Sequence, residues 1–284
     1  MSRIVYVNGA FLPEDQATIS VFDRGFLFAD GVYEVTSVLN GQLIDNAAHL
    51  GRLHRSLSEL SMPSPESDER ITEIQMELAN RNDLREGMIY LQITRGAADR
   101  DFKFPKDAAS SLVMFTQTKA LIDNPQAKTG LSVITVPDIR WKRRDIKTVG
   151  LLAPSMAKQA AADAGADDAW MVEDGFVTEG TSNNAYIVNN QGAVITRHLG
   201  NEILAGITRR AVLRLAEEQD VKIEERPFTV DEAKAAREAF VTSASTFVCP
   251  VVKIDDQRIG NGAPGPLAKR LRQIYIETAL AGGF

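Results

Sequence analysis

One cysteine, few aromatics and no long apolar run set the first limits on this 284-residue chain. Cys249 has no partner for an internal disulfide, which excludes a disulfide-stapled scaffold and suits a reducing cytoplasm. No stretch approaches the roughly 20 apolar residues of a membrane span. The opening MSRIVYVNGAF lacks the charged head and apolar core of a signal peptide. Positive charge is not in excess either. With 32 Lys and Arg against 38 Asp and Glu, the net charge is −6, which argues against nucleic acid as a partner. What remains, 44% hydrophobic and 25% charged, is the composition of a soluble globular protein, expected in the cytoplasm. A chain of this size buries roughly three quarters of its unfolded surface, and its length favours two domains.

Residues 1–118 read as a first α+β unit. Asn8-Gly9 lies between Ile4–Val7 and Phe11–Leu12, and Asn40-Gly41 between Val35–Leu39 and Gln42–Ile44. Asn-Gly supplies both positive-φ positions of a tight hairpin turn. Leu50, Leu53, Leu57 and Leu60 form one helical stripe and Ile71, Ile74 and Leu78 a second, with Pro63 and Pro65 breaking the chain between them. Met88–Thr94 and Leu112–Thr118 read as strands. Residues 119–130, KALIDNPQAKTG, read as a connector. A larger domain is expected over 131–284. It opens with a strand at Leu131–Val136, a basic loop and a helix over Pro154–Ala164 stopped by Gly165. Hairpins follow across Glu173-Asp174-Gly175 and across residues 189–192. Gly206 then leads into a helix, Thr229 and Glu232 are spaced as a capping box, and Leu267, Leu271 and Ile274 mark a last helix. Buried strands are expected at Phe240–Thr242 and Val251–Ile254. No glycine fingerprint follows a strand, so a Rossmann unit is excluded.

Three stretches could carry chemistry, each with a plainer reading beside it. Residues 140–148, RWKRRDIKT, would make an ordinary solvated basic loop. Yet Lys147 follows Ile146 and precedes Val149, Leu151 and Leu152, so it can point inward. Lost solvation there favours the neutral, nucleophilic amine that Schiff-base chemistry needs. Residues 178–184, TEGTSNN, read either as a polar turn or as one placed carboxylate, Glu179, among small polar groups. Gly206-Ile207-Thr208 opens a helix, and a Ser/Thr-rich turn lies at 243–246. Helix starts offer free N–H groups that suit phosphate, though plain capping explains them equally well.

Further segments join these in order: Asp23-Arg24-Gly25, residues 28–35 (FADGVYEV), residues 49–53 (HLGRL), residues 90–96 (YLQITRG), Gly206-Ile207-Thr208-Arg209 and Val241-Thr242-Ser243. The ordered set resembles the fold-type IV family of pyridoxal-phosphate enzymes, and within it the D-amino acid transaminases. The resemblance implies a two-domain α+β fold, with a small N-terminal domain and a larger C-terminal one built on a β-barrel-like core. It implies pyridoxal 5'-phosphate as cofactor, no metal, and a homodimer with active sites at the subunit interface. Lys147 would carry the cofactor and shuttle protons, and Glu179 would pair with the ring nitrogen. Arg52, Ile207, Thr208, Ser243 and Ala244 would surround the phosphate, with Ser182 and Asn183 also beside the cofactor. Tyr33, Val35, Tyr90 and Arg100 would receive the substrate, Arg100 across the dimer.

Two departures from the family pattern stand out. Ala244 occupies the place where relatives usually set a threonine against the phosphate. Phe102 replaces the histidine that normally accompanies Arg100 on the substrate carboxylate. The expected reaction moves the amino group of a D-amino acid to a 2-oxo acid such as 2-oxoglutarate or pyruvate. Branched-chain L-amino acid and (R)-amine transaminases are the near rivals. A lyase of the aminodeoxychorismate type and a catalytically silent cofactor-binding relative are the distant ones; retention of both Lys147 and Glu179 speaks against the silent one.

Overall fold

The computed structural model describes residues 2–282 and divides the chain into two units. Among the described residues, the first runs to Ala120 and also takes in Ile146–Gly150; the second comprises Leu121–Asp145 and residues 151–282.

In the first unit, β1 (Ile4–Val7) turns into β2 (Ala10–Pro13) through Asn8 at φ 46° and Gly9 at φ 98°, the left-handed pair that Asn-Gly supplies. A short helix α1 (Arg24–Phe28) precedes β3 (Gly31–Leu39), which a second Asn-Gly turn joins to β4 (Gln42–Leu43). Helices α2 (Asn46–Glu59) and α3 (Asp68–Arg81) follow, then strands β5 (Glu86–Thr94) and β6 (Ser111–Thr118). The sheet order is β2-β1-β6-β5-β3-β4, antiparallel throughout. The two leucine and isoleucine stripes lie in one core with Val32, Leu91, Ile93 and Met114 of the sheet. Each such side chain, fully buried, contributes roughly 1.5–3 kcal/mol. Ile146 belongs to the same core.

The second unit starts with α4 (Pro125–Thr129), a short helix inside the stretch that reads as a connector; Asn124 caps it and proline stands in its first turn. Strand β7 (Leu131–Pro137), helix α5 (Leu152–Asp163), hairpin β8 (Asp168–Glu173) and β9 (Phe176–Gly180), and hairpin β10 (Asn184–Val188) and β11 (Val194–Thr196) come next. Then follow α6 (Ile207–Glu217), β12 (Ile223–Glu225), α7 (Val230–Lys234), β13 (Glu238–Ser243), β14 (Phe247–Ile254), β15 (Gln257–Arg258) and α8 (Pro266–Leu280). The nine strands form a curled half-barrel, ordered β12-β11-β10-β13-β14-β7-β8-β9 with β15 on β14. Trp170, Ile187, Phe228, Val241 and Cys249 fill one core, while Ala157 and Ala161 of α5 pack on Ala169 and Met171. The capping box of α7 is present in both directions.

The structure differs from the sequence reading at one consequential place. The sequence puts Lys147 in the second domain, but its neighbourhood belongs to the first. Ile146 needs an apolar core and finds it there. The backbone follows, with Tyr33 N donating to Lys147 O at 3.0 Å and Val149 N to Gly31 O at 3.0 Å.

Candidate active site

The strand period sorts the side chains of β3 between two faces. Glu34 points to the helices, where Arg52 of α2 grips it with a two-pronged fork: Nε to Oε1 and Nη2 to Oε2, both 2.7 Å. His49 Nδ1 lies 2.7 Å from Oε2. Burial pushes the Glu34 carboxyl up, but Arg52 and His49 outweigh it and hold the group down at about 2. Arg52, expected at a phosphate, thus has one edge of its guanidinium committed to Glu34.

Tyr33 and Val35 occupy the other face. Tyr33 stacks on Tyr90 with centroids 5.5 Å apart, and Tyr90 on Phe115 at 4.7 Å. Val35 lies opposite Tyr90 in the ladder. Lys147 Nζ sits 4.1 Å from the Tyr33 ring centroid, while its backbone N–H donates to Ser56 Oγ at 3.3 Å. The structure therefore brings Lys147, Tyr33, Val35 and Tyr90 to one face of the first sheet.

Arg100 is exposed on the loop after β5. Its guanidinium lies 5.3 Å from the Phe28 centroid and 5.5 Å from Phe102. Buried groups anchor the foot of this loop. Arg24 and Arg95 both pair with Asp30 Oδ2, at 2.7 and 2.8 Å; Arg24 also donates to Asp101 O, and Arg95 stacks on Phe104 at 3.6 Å.

In the second unit, Glu179 is buried on β9 and held by three neighbours. Arg140 Nη1 donates to Oε1 at 2.5 Å, Asn184 Nδ2 to Oε2 at 3.0 Å, and Leu204 N to both oxygens. Burial raises the Glu179 carboxyl above its ordinary range, and Arg140 offsets this only in part. Asp138 in turn clamps Arg140 through Nε at 3.0 Å and Nη2 at 2.7 Å, and accepts from Thr178 Oγ1 at 2.7 Å.

The two adjacent asparagines of this turn have different partners. The Asn183 amide donates to buried Asp168 at 2.7 Å, as the Thr181 hydroxyl does at 2.5 Å. These bonds pin the turn, and Asn184 provides the amide that reaches Glu179. Ser182 is exposed between them. Nothing in the string TSNN distinguishes the two asparagines; only the register of β10 does. Arg140 is likewise one arginine of a basic run, with no sequence signal of its carboxylate partner.

Helix α6 starts at Gly206 without a side-chain cap, leaving N–H groups of its first turn as donors. Ile207 and Thr208 are both buried. Any side chain at Gly206 would put its Cβ 2.1 Å from Asn184 Oδ1, so glycine is needed for this close approach. On the turn between β13 and β14, Ser243 Oγ lies 2.8 Å from Thr246 Oγ1 and 3.2 Å from Ser245 Oγ. Among the described residues no His, Cys, Asp and Glu group is arranged to hold a metal ion, and no helix is long and apolar enough to cross a membrane.

The profile of the amino-transferase class IV family matches residues 31–254. The chain belongs to that family. A D-alanine aminotransferase of Bacillus licheniformis is 39% identical over 278 residues, covering 97% of this chain and 95% of that protein. A second, of Staphylococcus haemolyticus, is 37% identical over 280 residues, 96% and 98% of the two chains. Among solved structures, a branched-chain amino acid aminotransferase of T.th., complexed with N-(5'-phosphopyridoxyl)-L-glutamate, superposes with a TM-score of 0.90 at 26% identity, covering 99% of this chain and 95% of that one. The Escherichia coli branched-chain enzyme, at TM-score 0.92 and 20% identity over 98% and 95%, shows the shared fold.

As a class IV aminotransferase the protein uses pyridoxal 5'-phosphate. Its own groups fit that cofactor. A buried carboxylate held by an arginine matches a protonated ring nitrogen, and an uncapped helix start with a cluster of hydroxyls matches a phosphate.

Proposed function

We propose that this aminotransferase moves the amino group of a D-amino acid to a 2-oxo acid such as 2-oxoglutarate or pyruvate. The observation that carries the reading is the near full-length likeness to D-alanine aminotransferases, at 39% identity. When bound, pyridoxal phosphate supplies the electron sink for the pair left by the departing α-proton. Lys147 Nζ holds the cofactor covalently at rest and moves that proton during turnover. Its place over the Tyr33 ring supports this role, because the aromatic face orients the amine. Glu179 pairs with the ring nitrogen, with Arg140 and Asn184 fixing its two oxygens. Ile207 and Thr208 give N–H groups to the phosphate, and Arg52, Ser243 and the backbone at Ala244 complete its surroundings. Ser182 and Asn183 form the turn beside the cofactor. Tyr33, Val35 and Tyr90 line the substrate's place, and Arg100 takes its carboxylate.

The working unit is a homodimer, and Arg100 serves the partner's site. Supporting this is an apolar exposure unusual for a lone chain: Phe26 is 77% and Phe102 78% exposed, with Val21 and Phe22 on the segment that bonds to the same loop through Phe22 O and Ala98 N. The buried Cys249, which is in no disulfide, suits a cytoplasmic setting.

The test is an absorbance-monitored half-reaction with D-amino acids, L-amino acids and (R)-amines. D-alanine is expected to convert the cofactor fastest. Faster conversion by L-leucine or an (R)-aryl amine would replace the reading with the corresponding rival. Borohydride reduction is expected to fix the cofactor on Lys147, and a label on any other lysine would remove Lys147 from its role.

A further inference from the structure

Arg272 of α8 is a buried cation that no part of the proposed chemistry uses. It is 8% exposed, and no carboxylate pairs with it among the described residues. Four backbone carbonyls satisfy it instead. Nη1 donates to Thr246 O at 2.6 Å and Val248 O at 2.9 Å; Nη2 donates to Leu121 O and to Ile122 O at 3.1 Å. The first two carbonyls flank Phe247, which stands at φ 56°, a left-handed conformation that a bulky side chain adopts only under constraint. Its ring is completely buried, 5.0 Å from Tyr275 of the same helix and 5.9 Å from the guanidinium. Helix α8 thus holds the strained exit of the turn whose hydroxyls, Ser243, Ser245 and Thr246, gather within hydrogen-bonding distance.

We propose that Arg272 is a positioning residue that shapes the 243–246 turn for a phosphate monoester and so sets how tightly the aminotransferase retains its cofactor. The proposal rests on the reading that this turn faces the cofactor phosphate. Two effects act together. The guanidinium fixes the carbonyls on either side of Phe247, which keeps the hydroxyl cluster assembled before any anion arrives. Its charge, paired with no carboxylate among the described residues, also favours a dianion nearby, and low-dielectric surroundings screen that attraction poorly.

The experiment compares equilibrium binding of pyridoxal 5'-phosphate and of pyridoxal, which lacks the phosphate, to the full-length protein. Wild type, Arg272→Met, Arg272→Lys and Ser243→Ala are measured alongside thermal melts. Arg272→Met is expected to weaken pyridoxal phosphate by roughly tenfold or more, as loss of hydrogen bonds from a charged group implies, while pyridoxal affinity stays within about twofold. Arg272→Lys, which keeps the charge but not the fork, should fall between; it carries the test if the methionine variant does not fold. Equal losses for both ligands would show that Arg272 only stabilises the fold and would overturn the proposal. An unchanged ligand ratio in Ser243→Ala would remove the phosphate from this turn, and the proposal with it. A changed ratio in Ser243→Ala but not in the Arg272 variants would reject Arg272 alone.

Discussion

Glu34 and Glu179 are both buried carboxylates, and their surroundings drive them in opposite directions. Glu34 is held down at about 2 by Arg52 and His49, below an unfolded value of 4.5. The unfolded chain therefore binds the proton first as acid is added. The stabilisation from this group, roughly 3 kcal/mol from a shift of that size, is whole above about pH 5 and disappears as pH falls toward 2. Glu34→Gln is expected to lower stability at pH 7 and to flatten the loss between pH 5 and 3, read by denaturant titration at each pH. Glu179 is raised by burial, so the folded state binds its proton more readily and the charged form at neutral pH costs stability. A buried carboxyl whose charged form is disfavoured marks chemistry more often than architecture. Glu179→Gln should leave the melting temperature at pH 7 unchanged or higher, yet slow α-proton removal by orders of magnitude, since preorganised charge is commonly the largest catalytic contribution. A half-reaction rate within a few-fold of wild type would dismiss Glu179 as the nitrogen's partner.

At the scale of elements, the loop after β5 carries Arg100 and Phe102 side by side. Its foot is fixed by Arg24, Arg95 and Asp30, and its tip carries Arg100 among the rings of Phe28 and Phe102. Since Phe102 cannot bind a carboxylate, Arg100→Ala should cut half-reaction efficiency with D-alanine by roughly 30-fold or more, the low end of losing one partner of a desolvated charge pair. An (R)-aryl amine, with no carboxylate, should be nearly unaffected. Equal losses would show that Arg100 supports the loop and not the substrate. The hairpins around this site were legible because Asn-Gly dictates its own backbone, and α2 and α3 because their leucine and isoleucine spacing has a helical period. The helix α1 and the strand β12, five and three residues long, are too short for any period to register. Glu34 could have been found from strand alternation, since Tyr33 and Val35 on one face require Glu34 on the other. The fork from Arg52 could not, because it depends on how α2 lies over the sheet.

Over the whole molecule, composition alone fixed the class and the order of motifs fixed the family, but the boundary of the units lay beyond sequence reasoning. Ile146–Gly150 is flanked on both sides by segments of the second unit. Nothing in IKTVG says that it should leave them; only the space for Ile146 beside α2 and α3 does. Association is a property of this scale too. Sedimentation equilibrium is expected to show a dimer, and Phe26→Glu, placing a charge in the exposed apolar segment, to shift it toward monomer.

The five-residue return of the chain also governs how the protein can complete itself during synthesis. When Ala120 leaves the ribosome, all six strands of the first sheet and both covering helices exist. The place of Ile146 is still empty, and the Tyr33 N–H still lacks the Lys147 carbonyl. A missing core isoleucine leaves a deficit of roughly 2–5 kcal/mol, enough to keep the nascent unit marginal until translation has passed Gly150. The residue on which catalysis is proposed to depend thus arrives with the segment that fills the last place in the first core.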